Sequence, residues 1–207
     1  MVSNEEILVN KRNGRGKEAL QIDKIHAMVG FATDGITGVS ASHVEMNSGI
    51  QLFDGISTAD IQQILIKSAN DLITLESPNY QYVAARLLLF SLRKQLFHRL
   101  WDHPKLIDHI KKLIDMGLYD KDILVNYDES EIDRMNMWID HERDYNFTYA
   151  GLRQVMDKYL VQDRSTGEIF ETPQFMYMMI SATLFAQYPK DKRMSYVKKY
   201  YDAVSKF

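Results

Sequence analysis

Near the start of the chain, apolar residues first occur in short runs and then recur at helical spacing. Ile7–Val9 and Ala19–Ile22 are short apolar runs on either side of the polar turn Asn13–Gly16, a pattern that predicts a β-hairpin. From Asp23 to about Gly35, apolar side chains recur at helical spacing, which predicts a first helix. The N-terminus is therefore expected to place a hairpin ahead of helices.

Three further helices are predicted in the first half of the chain. Ser42 followed by Glu45 is a capping-box pattern and marks the second helix. A hydroxyl within Asp54–Thr58 can cap the third. Ser77-Pro78 supplies a hydroxyl cap and a first-turn proline for the fourth, which is expected to run to about Leu96.

The remaining sequence predicts a second, mainly helical region. We place the domain boundary near His98–Pro104, which gives domains 1–97 and 98–207. The expected elements are helices over 104–116, 128–140 and 148–160, a small hairpin pairing 159–161 with 169–170, and helices after Thr172-Pro173 and Pro189. The predicted fold class is mainly α: a β-hairpin over a four-helix bundle, then an α-helical region with a second small hairpin.

Composition narrows the function classes. At 45% hydrophobic and 26% charged residues, the chain is expected to be globular, and 207 residues suit one domain or two small ones. No run approaches the roughly 18 apolar residues of a membrane span, and the N-terminus lacks a secretion-signal pattern, so we expect a cytoplasmic protein. The 25 basic and 28 acidic residues are evenly spread, which disfavours nucleic acid as the partner.

Most candidate groups have a structural interpretation. The chain has no cysteine, which excludes disulfides, thiolate metal sites and cysteine nucleophiles within it, and its six histidines are too scattered to favour a metal site. The acidic patch Asp140–Asp144 is expected to form a solvated ion-pair network, and the methionines near Met178 to pack in a core. Gly14–Lys17 lacks the spacing of a Walker A loop, so its glycines are interpreted as turn residues.

The cations beside the hairpin turn suggest an anion site. Lys11 and Arg12 precede the turn and could meet a polyphosphate if other groups converge there. The helix start at Ser57-Thr58 would add backbone N–H groups and the positive end of a helix dipole, and Lys94 could add a further cation.

The sequence resembles a known family in several blocks. Val9–Gly14 (VNKRNG), Ile22–Ile25 (IDKI), Asp54–Ile61 (DGISTADI) and Pro78–Arg86 (PNYQYVAAR) are similar to the ATP-cone domain. They most closely resemble the form at the N-terminus of the class Ia ribonucleotide reductase large subunit of enteric bacteria and T-even-like phages. Four later blocks resemble the helical region that follows the cone in that subunit: 139–144 (IDHERD), 158–161 (KYLV), 166–169 (TGEI) and 201–205 (YDAVS).

The resemblance also implies what this chain does not carry. In the family, the catalytic α/β barrel, its cysteines and its tyrosine radical relay follow the region matched here. Without cysteine, the chain alone is not expected to reduce ribonucleotides. We expect either an excised regulatory fragment or one piece of a split large subunit, working with the remaining catalytic part and a radical-generating small subunit.

The family binds ATP or dATP, with Mg²⁺ on the phosphates, between the hairpin and the helices beneath it. The resemblance implies that four cations face the phosphates: Lys11, Arg12, Lys24 and Lys94. It implies that Thr58 serves the helix-start amides and that Glu18 accepts a hydrogen bond from the adenine amino group. The implied apolar wall around the adenine consists of Val9, Ile25, Ile61 and Phe90. An extra hairpin residue leaves Lys17 as the alternative to Glu18.

Two positions depart from the enteric pattern. Gln62 stands where those relatives have histidine and Gln21 where they have asparagine, and both are expected close to the sugar or base. Neutral amides at both positions favour similar affinities for ATP and dATP, with weak or absent inhibition by dATP.

Two functions remain open at the level of sequence. The leading hypothesis is an allosteric module that binds ATP or dATP and controls the overall activity of the reductase. The alternative is a degenerate cone that serves as a structural or subunit-docking element. The zinc-ribbon repressor that also carries an ATP cone is disfavoured, because this chain has no cysteine to hold zinc.

Overall fold

The computed structural model describes residues 7–11, 16–49, 54–98 and 100–206. The first half contains strands β1 (Leu8–Asn10) and β2 (Lys17–Ala19) and helices α1 (Ile22–Thr33), α2 (Ala41–Ser48), α3 (Thr58–Asp71) and α4 (Tyr80–Phe97). The second half contains α5 (Leu106–Asp115), α6 (Asp122–Asn126), α7 (Glu129–Trp138), a 3₁₀ helix (His141–Asn146), α8 (Tyr149–Lys158), β3 (Gln162–Asp163), β4 (Glu168–Ile169), α9 (Pro173–Phe185) and α10 (Lys190–Ser205). The predicted mainly α fold with two small hairpins is confirmed.

The chain separates into two compact units. The first comprises Met1–Ser91 together with Thr148–Leu152, and the second comprises Leu92–Phe147 and Arg153–Phe207. The division by compactness therefore falls inside α4, whereas the predicted boundary near His98–Pro104 stays a prediction. Within the described residues, no helix combines the length and the apolar content needed to cross a bilayer.

The predicted N-terminal hairpin is present. β1 pairs antiparallel with β2, with Leu8 opposite Ala19 and Asn10 opposite Lys17, and the Lys11 amide donates to the Gly16 carbonyl at 2.9 Å. The middle of the predicted turn, residues 12–15, lies outside the described part of the chain. The hairpin is thus fixed by its ladder and by the pair that closes it.

The four helices of the first unit share a core, in which α1, α2 and α3 bury one side each and α4 is buried on most of its circumference. Val29, Val44, Leu65 and Leu87 are fully buried and come from α1, α2, α3 and α4 respectively. Apolar side chains three and four positions apart lie on one helix face, so the helical periodicity of the sequence predicted this core correctly.

Two helix starts differ from the sequence prediction. Ser42 lies inside α2, whose N-cap is Ser40, so the predicted Ser42–Glu45 capping box is wrong. Pro78 belongs to a turn before α4, where its carbonyl accepts from the Gln81 amide at 3.1 Å, so it is not in the first helical turn. One contact joins the two helix starts. Ser40, the N-cap of α2, donates its backbone amide to the hydroxyl of Tyr80, the first residue of α4, at 3.1 Å.

The second unit has a core built mainly from α5, α7, α9 and α10. Leu106, Ile110, Phe175, Val197 and Tyr201 are almost completely buried within it. α7 begins with a complete capping box, in which Asp128 accepts from the Glu131 amide while Glu131 accepts from the Asp128 amide.

The second hairpin is shifted from its predicted position. β3 and β4 pair Gln162 with Ile169, whereas the prediction began the first strand at Tyr159. The chain turns between them through Asp163, whose carbonyl accepts from the Gly167 amide at 2.7 Å. The helix α6 and the 3₁₀ helix were not predicted, because segments of five or six residues are too short to show a period.

Candidate functional site

The hairpin of the first unit is joined to the start of α3. The Asn10 amide donates to the Ile56 carbonyl at 3.0 Å, and the Gly55 amide donates to the Leu8 carbonyl at 2.8 Å. The Asn10 side chain also donates to the Gly55 carbonyl, at 2.6 Å. β1 thereby continues into a parallel bridge with Ser57, which brings the hairpin's cationic end and a helix N-terminus into one place.

The backbone angle at Gly55 allows this turn. Its φ is +87°, in the region that side chains other than glycine rarely adopt. A Cβ atom added there would stand 3.8 Å from the Asn10 side-chain nitrogen, an ordinary contact, so the backbone angle rather than space favours glycine. The Asp54-Gly55 part of the DGISTADI block is therefore a turn that docks the hairpin.

Charged groups converge at this hairpin end. The Lys11 Nζ lies 2.8 Å from Glu18 Oε2, and both side chains are partly exposed. The hydrogen bond from Lys11 lowers the pKa of Glu18 below its usual range, and the positive charge of Lys24 adds to the effect. Lys11 and Lys24 therefore both act electrostatically on Glu18, while the phosphate site itself stays a prediction.

The start of α3 is capped by Ser57. Its hydroxyl oxygen accepts from the Asp60 amide at 2.9 Å and donates to the Asp60 carboxylate at 2.7 Å. Thr58 is the first helical residue and is partly buried. The positive end of the helix dipole favours an anion here, whereas the Asp60 carboxylate in the first turn opposes one.

The apolar side chains assigned to the adenine wall differ in exposure. Val9, Ile61 and Phe90 are buried, whereas Ile25 is half-buried. Sequence reasoning missed Phe31, which is 38% exposed and whose ring centroid lies 5.4 Å from that of Phe90. Lys24, Met28 and Phe31 follow the i, i+4, i+7 spacing of one helix face, which is the signal that could have identified Phe31.

The two glutamines occupy different environments. Gln62 is only 2% exposed, and its side-chain amide donates to the Leu87 carbonyl at 2.9 Å, so it ties α3 to α4. Gln21 is exposed at the N-cap of α1, where its carbonyl accepts from the Lys24 amide at 3.0 Å. The Gln62 donor group is therefore already used within the protein.

Two further cations complete the implied set. Lys94 is partly buried and lies one turn after Phe90 on α4, in the residues assigned to the second unit. Arg12 lies outside the described residues.

The block Pro78–Arg86 holds the framework of the first unit. The Arg86 guanidinium donates to the Asp34 carbonyl at 2.6 Å, and the Asn79 side chain donates to the Thr37 carbonyl at 2.9 Å. Both interactions secure the chain that follows α1. Much of this block therefore serves the fold that positions the site.

The acidic patch Asp140–Asp144 was expected to be solvated, but one of its carboxylates is buried in the second unit. Asp144 is 1% exposed, it accepts from the Gln174 side chain at 2.8 Å, and its carboxylate lies 3.7 Å from the buried Arg93. Burial raises the pKa of Asp144 to about 7. The expectation is wrong for Asp144 because its position on the 3₁₀ helix faces the core. The rest of the patch keeps the predicted ion pairs, since Arg143 lies 3.4 Å from the exposed Asp140 and 2.9 Å from Asp202.

Three histidines meet in the second unit. The rings of His103 and His141 stack with centroids 3.7 Å apart, and His109 stacks on Phe175 at 4.3 Å. Burial lowers the pKa of His103 and His109 to about 4 and that of His141 to about 2, so they are neutral at pH 7. No group of three metal-binding side chains occurs in the part of the chain that the structure describes.

Comparisons with known proteins agree with this architecture. The family model "ATP cone domain" matches residues 7–95, and "Ribonucleotide reductase, all-alpha domain" matches residues 145–207. The alpha subunit of ribonucleoside-diphosphate reductase 1 from Escherichia coli (strain K12) is 48% identical over 99% of this chain. The corresponding alpha subunits from Haemophilus influenzae and Enterobacteria phage T4 are 48% and 41% identical over 99% and 96% of it, respectively.

The match to the phage subunit covers 96% of this chain and 26% of that subunit. The match to the Escherichia coli subunit likewise covers 26% of its length, so the chain spans about a quarter of the curated relatives it matches. Both matches run through the cone and through the helical sequence behind it. The chain therefore belongs to the ribonucleotide reductase large-subunit family, in which it comprises an ATP-cone domain and a following region that includes sequence of the all-alpha domain.

Proposed function

We propose that the chain is an allosteric nucleotide-binding module that controls the overall activity of a ribonucleotide reductase. The observation that supports this most directly is the junction between the hairpin and α3, where the strand that precedes Lys11 bridges to Ser57, the N-cap of the helix. Cations combined with helix-start amides are a general means of binding phosphate. The ATP-cone match over residues 7–95 supports ATP or dATP as the ligand class.

The triphosphate would be held at the hairpin end and the base against the helices. Lys11, Arg12, Lys24 and Lys94 would neutralise phosphate charge. Glu18, freed from Lys11, would accept from the adenine amino group, and Phe31 adds an exposed aromatic face to the wall assigned from sequence. Mg²⁺ would be coordinated by the phosphates, because the described residues contain no acidic or histidine cluster able to hold it.

Control of activity requires a difference between nucleotides or between assembly states. ATP or dATP in one site shifts an equilibrium only if it binds the active and inhibited forms with different affinity. The regulated reaction would be the reduction of ribonucleoside diphosphates, carried out by the remaining catalytic part of the large subunit with the radical-generating small subunit. That catalytic part would lie in the same or in a separate polypeptide.

A second candidate is a degenerate cone that serves as a structural or docking element. Two observations favour it: Glu18 already neutralises Lys11, and the Gln62 amide is occupied by the Leu87 carbonyl. A cone of this kind would keep its hairpin and helices but bind nucleotide weakly or not at all.

Calorimetric titration with ATP, dATP and GTP in the presence of Mg²⁺ separates the two candidates. The sensing module is expected to bind both adenine nucleotides, and saturation at about 100 times Kd stabilises the native state by about 2.7 kcal/mol, which raises Tm. GTP tests for adenine selectivity. Neither heat nor a Tm shift with saturating ATP, in a sample whose circular dichroism shows folded helix, would leave the structural element as the function.

A further inference from the structure

Helix α4 contributes residues to both compact units. Its residues up to Ser91 belong to the first unit, and the remainder, from Leu92 to its end, belongs to the second. Lys94 lies in this remainder, whereas Lys11 and Lys24 belong to the first unit. The position of Lys94, one of the cations assigned to the triphosphate, therefore depends on what holds the end of α4.

The last turn of α4 is a place where a helix needs support. Carbonyl groups in the last turn of a helix have no donor within the helix, so the turn frays unless other groups hold it. Lys94 begins this turn, and its carbonyl accepts from the His98 amide at 3.1 Å, where the chain leaves the helix. The exposed Gln95 shows that solvent reaches one side of the turn. A side chain that anchors the other side would fix Lys94 along with it.

Arg93 anchors this turn in the second unit. It is only 2% exposed. Its guanidinium donates to the His141 carbonyl at 2.6 Å and to the Tyr145 hydroxyl at 2.8 Å, and it lies 5.0 Å from the centroid of the Tyr145 ring. The Asp144 carboxylate, at 3.7 Å, supplies the opposing charge. Because these partners all belong to the 3₁₀ helix, Arg93 fastens the end of α4 to that helix.

The 3₁₀ helix lies close to the point at which the chain returns to the first unit. It ends at Asn146, and the segment Thr148–Leu152 belongs to the first unit. Arg93 lies just after the earlier passage between the units, which falls between Ser91 and Leu92. Within the second unit, one side chain thus ties the segment by which the chain enters to the segment by which it leaves.

We propose that Arg93 is a positioning residue of the nucleotide site, which holds Lys94 toward the triphosphate by fastening the last turn of α4 to the 3₁₀ helix. This inference rests on the proposed nucleotide binding and adds a residue that acts through its neighbour. Binding of ATP then depends on the packing of the second unit, and by linkage a bound triphosphate stabilises the attachment of α4 to the 3₁₀ helix. Arginine suits this role because its planar guanidinium meets two acceptors and a ring at once, which a lysine ammonium does not.

The test is a double-mutant cycle on the affinity for ATP with Mg²⁺, measured by calorimetry on the whole chain. Arg93→Lys keeps the charge but loses the two-acceptor contact, and it is expected to weaken binding about fivefold, a part of what one charge-assisted hydrogen bond contributes. In the Lys94→Ala background the same change should alter affinity by less than about twofold, because the side chain that Arg93 positions is already absent.

Arg193→Lys is the matched control. Arg193 is also buried in the second unit, where it donates to Glu131 at 3.0 Å and lies 4.4 Å from the centroid of the Tyr127 ring. The substitution removes a similar contact away from α4, so it should lower Tm as Arg93→Lys does but leave the affinity for ATP unchanged.

Tyr145→Phe provides a milder change at the same attachment. It removes one acceptor of Arg93 and keeps the ring and the guanidinium, so it should weaken ATP binding about twofold, and less than that in Lys94→Ala. Circular dichroism establishes that each variant is folded, and Tyr145→Phe decides the matter if Arg93→Lys does not fold.

Three outcomes contradict the inference while the proposed function stands. ATP binding could be the same in the native chain, Arg93→Lys and Tyr145→Phe; Arg193→Lys could weaken it as much as Arg93→Lys does; or Arg93→Lys could have the same effect with and without Lys94. Absence of ATP binding by the native chain would instead overturn the proposed function, and this inference with it.

Discussion

Lys11 and Glu18 neutralise each other across the end of the hairpin, with the ammonium nitrogen 2.8 Å from the carboxylate. Replacing Lys11 with alanine is expected to weaken binding of ATP by about 1.5–3 kcal/mol, the range for a charge-assisted hydrogen bond. Calorimetry measures the change, and Lys67→Ala on the same protein serves as the control, because Lys67 pairs with Asp71 near the end of α3. Unaltered affinity in both Lys11→Ala and Lys94→Ala would move the site away from the hairpin.

Replacing Glu18 with glutamine tests the opposite effect at the same contact. Glu18→Gln releases Lys11 from its counter-ion, so inorganic tripolyphosphate is expected to bind more tightly by about 0.5–1 kcal/mol, the scale of an exposed ion pair. If Glu18 also accepts from the adenine amino group, the preference for ATP over GTP should fall in the same variant. An unchanged tripolyphosphate affinity would show that the ion pair does not compete with phosphate.

Gln62 was expected near the sugar or base of the nucleotide, whereas its side-chain amide is hydrogen-bonded within the protein. Its amide donates to the Leu87 carbonyl, so it is not poised to separate the two sugars, and ATP and dATP are expected to bind within about 1.4 kcal/mol, or tenfold, of each other. Competition titrations measure the ratio in the native chain and in Gln62→His. Gln63→His, at the exposed neighbouring position, is the control. A larger preference that Gln62→His removes would assign discrimination to Gln62.

At the scale of elements, the histidine cluster links α5, α9 and the 3₁₀ helix. His109 lies on α5 and stacks on Phe175 of α9, while His141 on the 3₁₀ helix approaches Phe175 edge-on at 5.0 Å. The rings are buried in neutral form, so they pack like apolar groups. This arrangement makes the second unit sensitive to acid.

The second unit is expected to lose stability as pH falls below about 6.5. Burial lowers the folded-state pKa of His103 and His109 to about 4 and of His141 to about 2, against an ordinary value of 6.5, so the unfolded chain binds more protons in this window. Asp144 opposes the effect, because its folded-state pKa of about 7 exceeds the ordinary 3.8. Between about pH 4 and 6.5, unfolding should therefore take up about two protons.

Thermal melts across this pH range provide the measurement. His109→Phe keeps an aromatic ring against Phe175 but removes one titrating group, so the dependence of Tm on pH should become shallower. His98→Asn is the control, because His98 is exposed and has a φ of +60° that asparagine tolerates. A pH dependence that is the same in both variants would show that His109 titrates normally in the folded protein.

At the scale of the whole molecule, the chain lacks the residues for the chemistry of its family. The resemblance implies that reduction depends on cysteines of the catalytic barrel, and this sequence contains no cysteine. The purified chain is therefore expected to produce no deoxyribonucleotide under any reductant, and product analysis after incubation with a ribonucleoside diphosphate and dithiothreitol measures this. Turnover would show chemistry different from that of the family. The proposed nucleotide binding, in contrast, would use residues within the matched cone, 7–95.

The sequence by itself determined the class of fold and most element positions. Apolar residues at a helical period predicted α1 and α3, because one stripe of each helix must be buried, and the Ser57 hydroxyl caps α3 as expected from its position. The hairpin and the start of α3 also carry local signatures. These features depend on neighbours within a few residues along the chain, whereas the contact between Asn10 and Ile56 that joins the two elements is tertiary.

Tertiary structure decided the features that depend on distant partners. The role of Gln62 is set by a carbonyl 25 residues away, and the burial of Asp144 by Gln174, 30 residues away. The scattered histidines became a cluster only when α5 and the 3₁₀ helix packed on α9, because no pattern within either segment encodes the contact. Burial and hydrogen bonding between remote residues depend on how the elements pack, and local propensity contains no information about that packing.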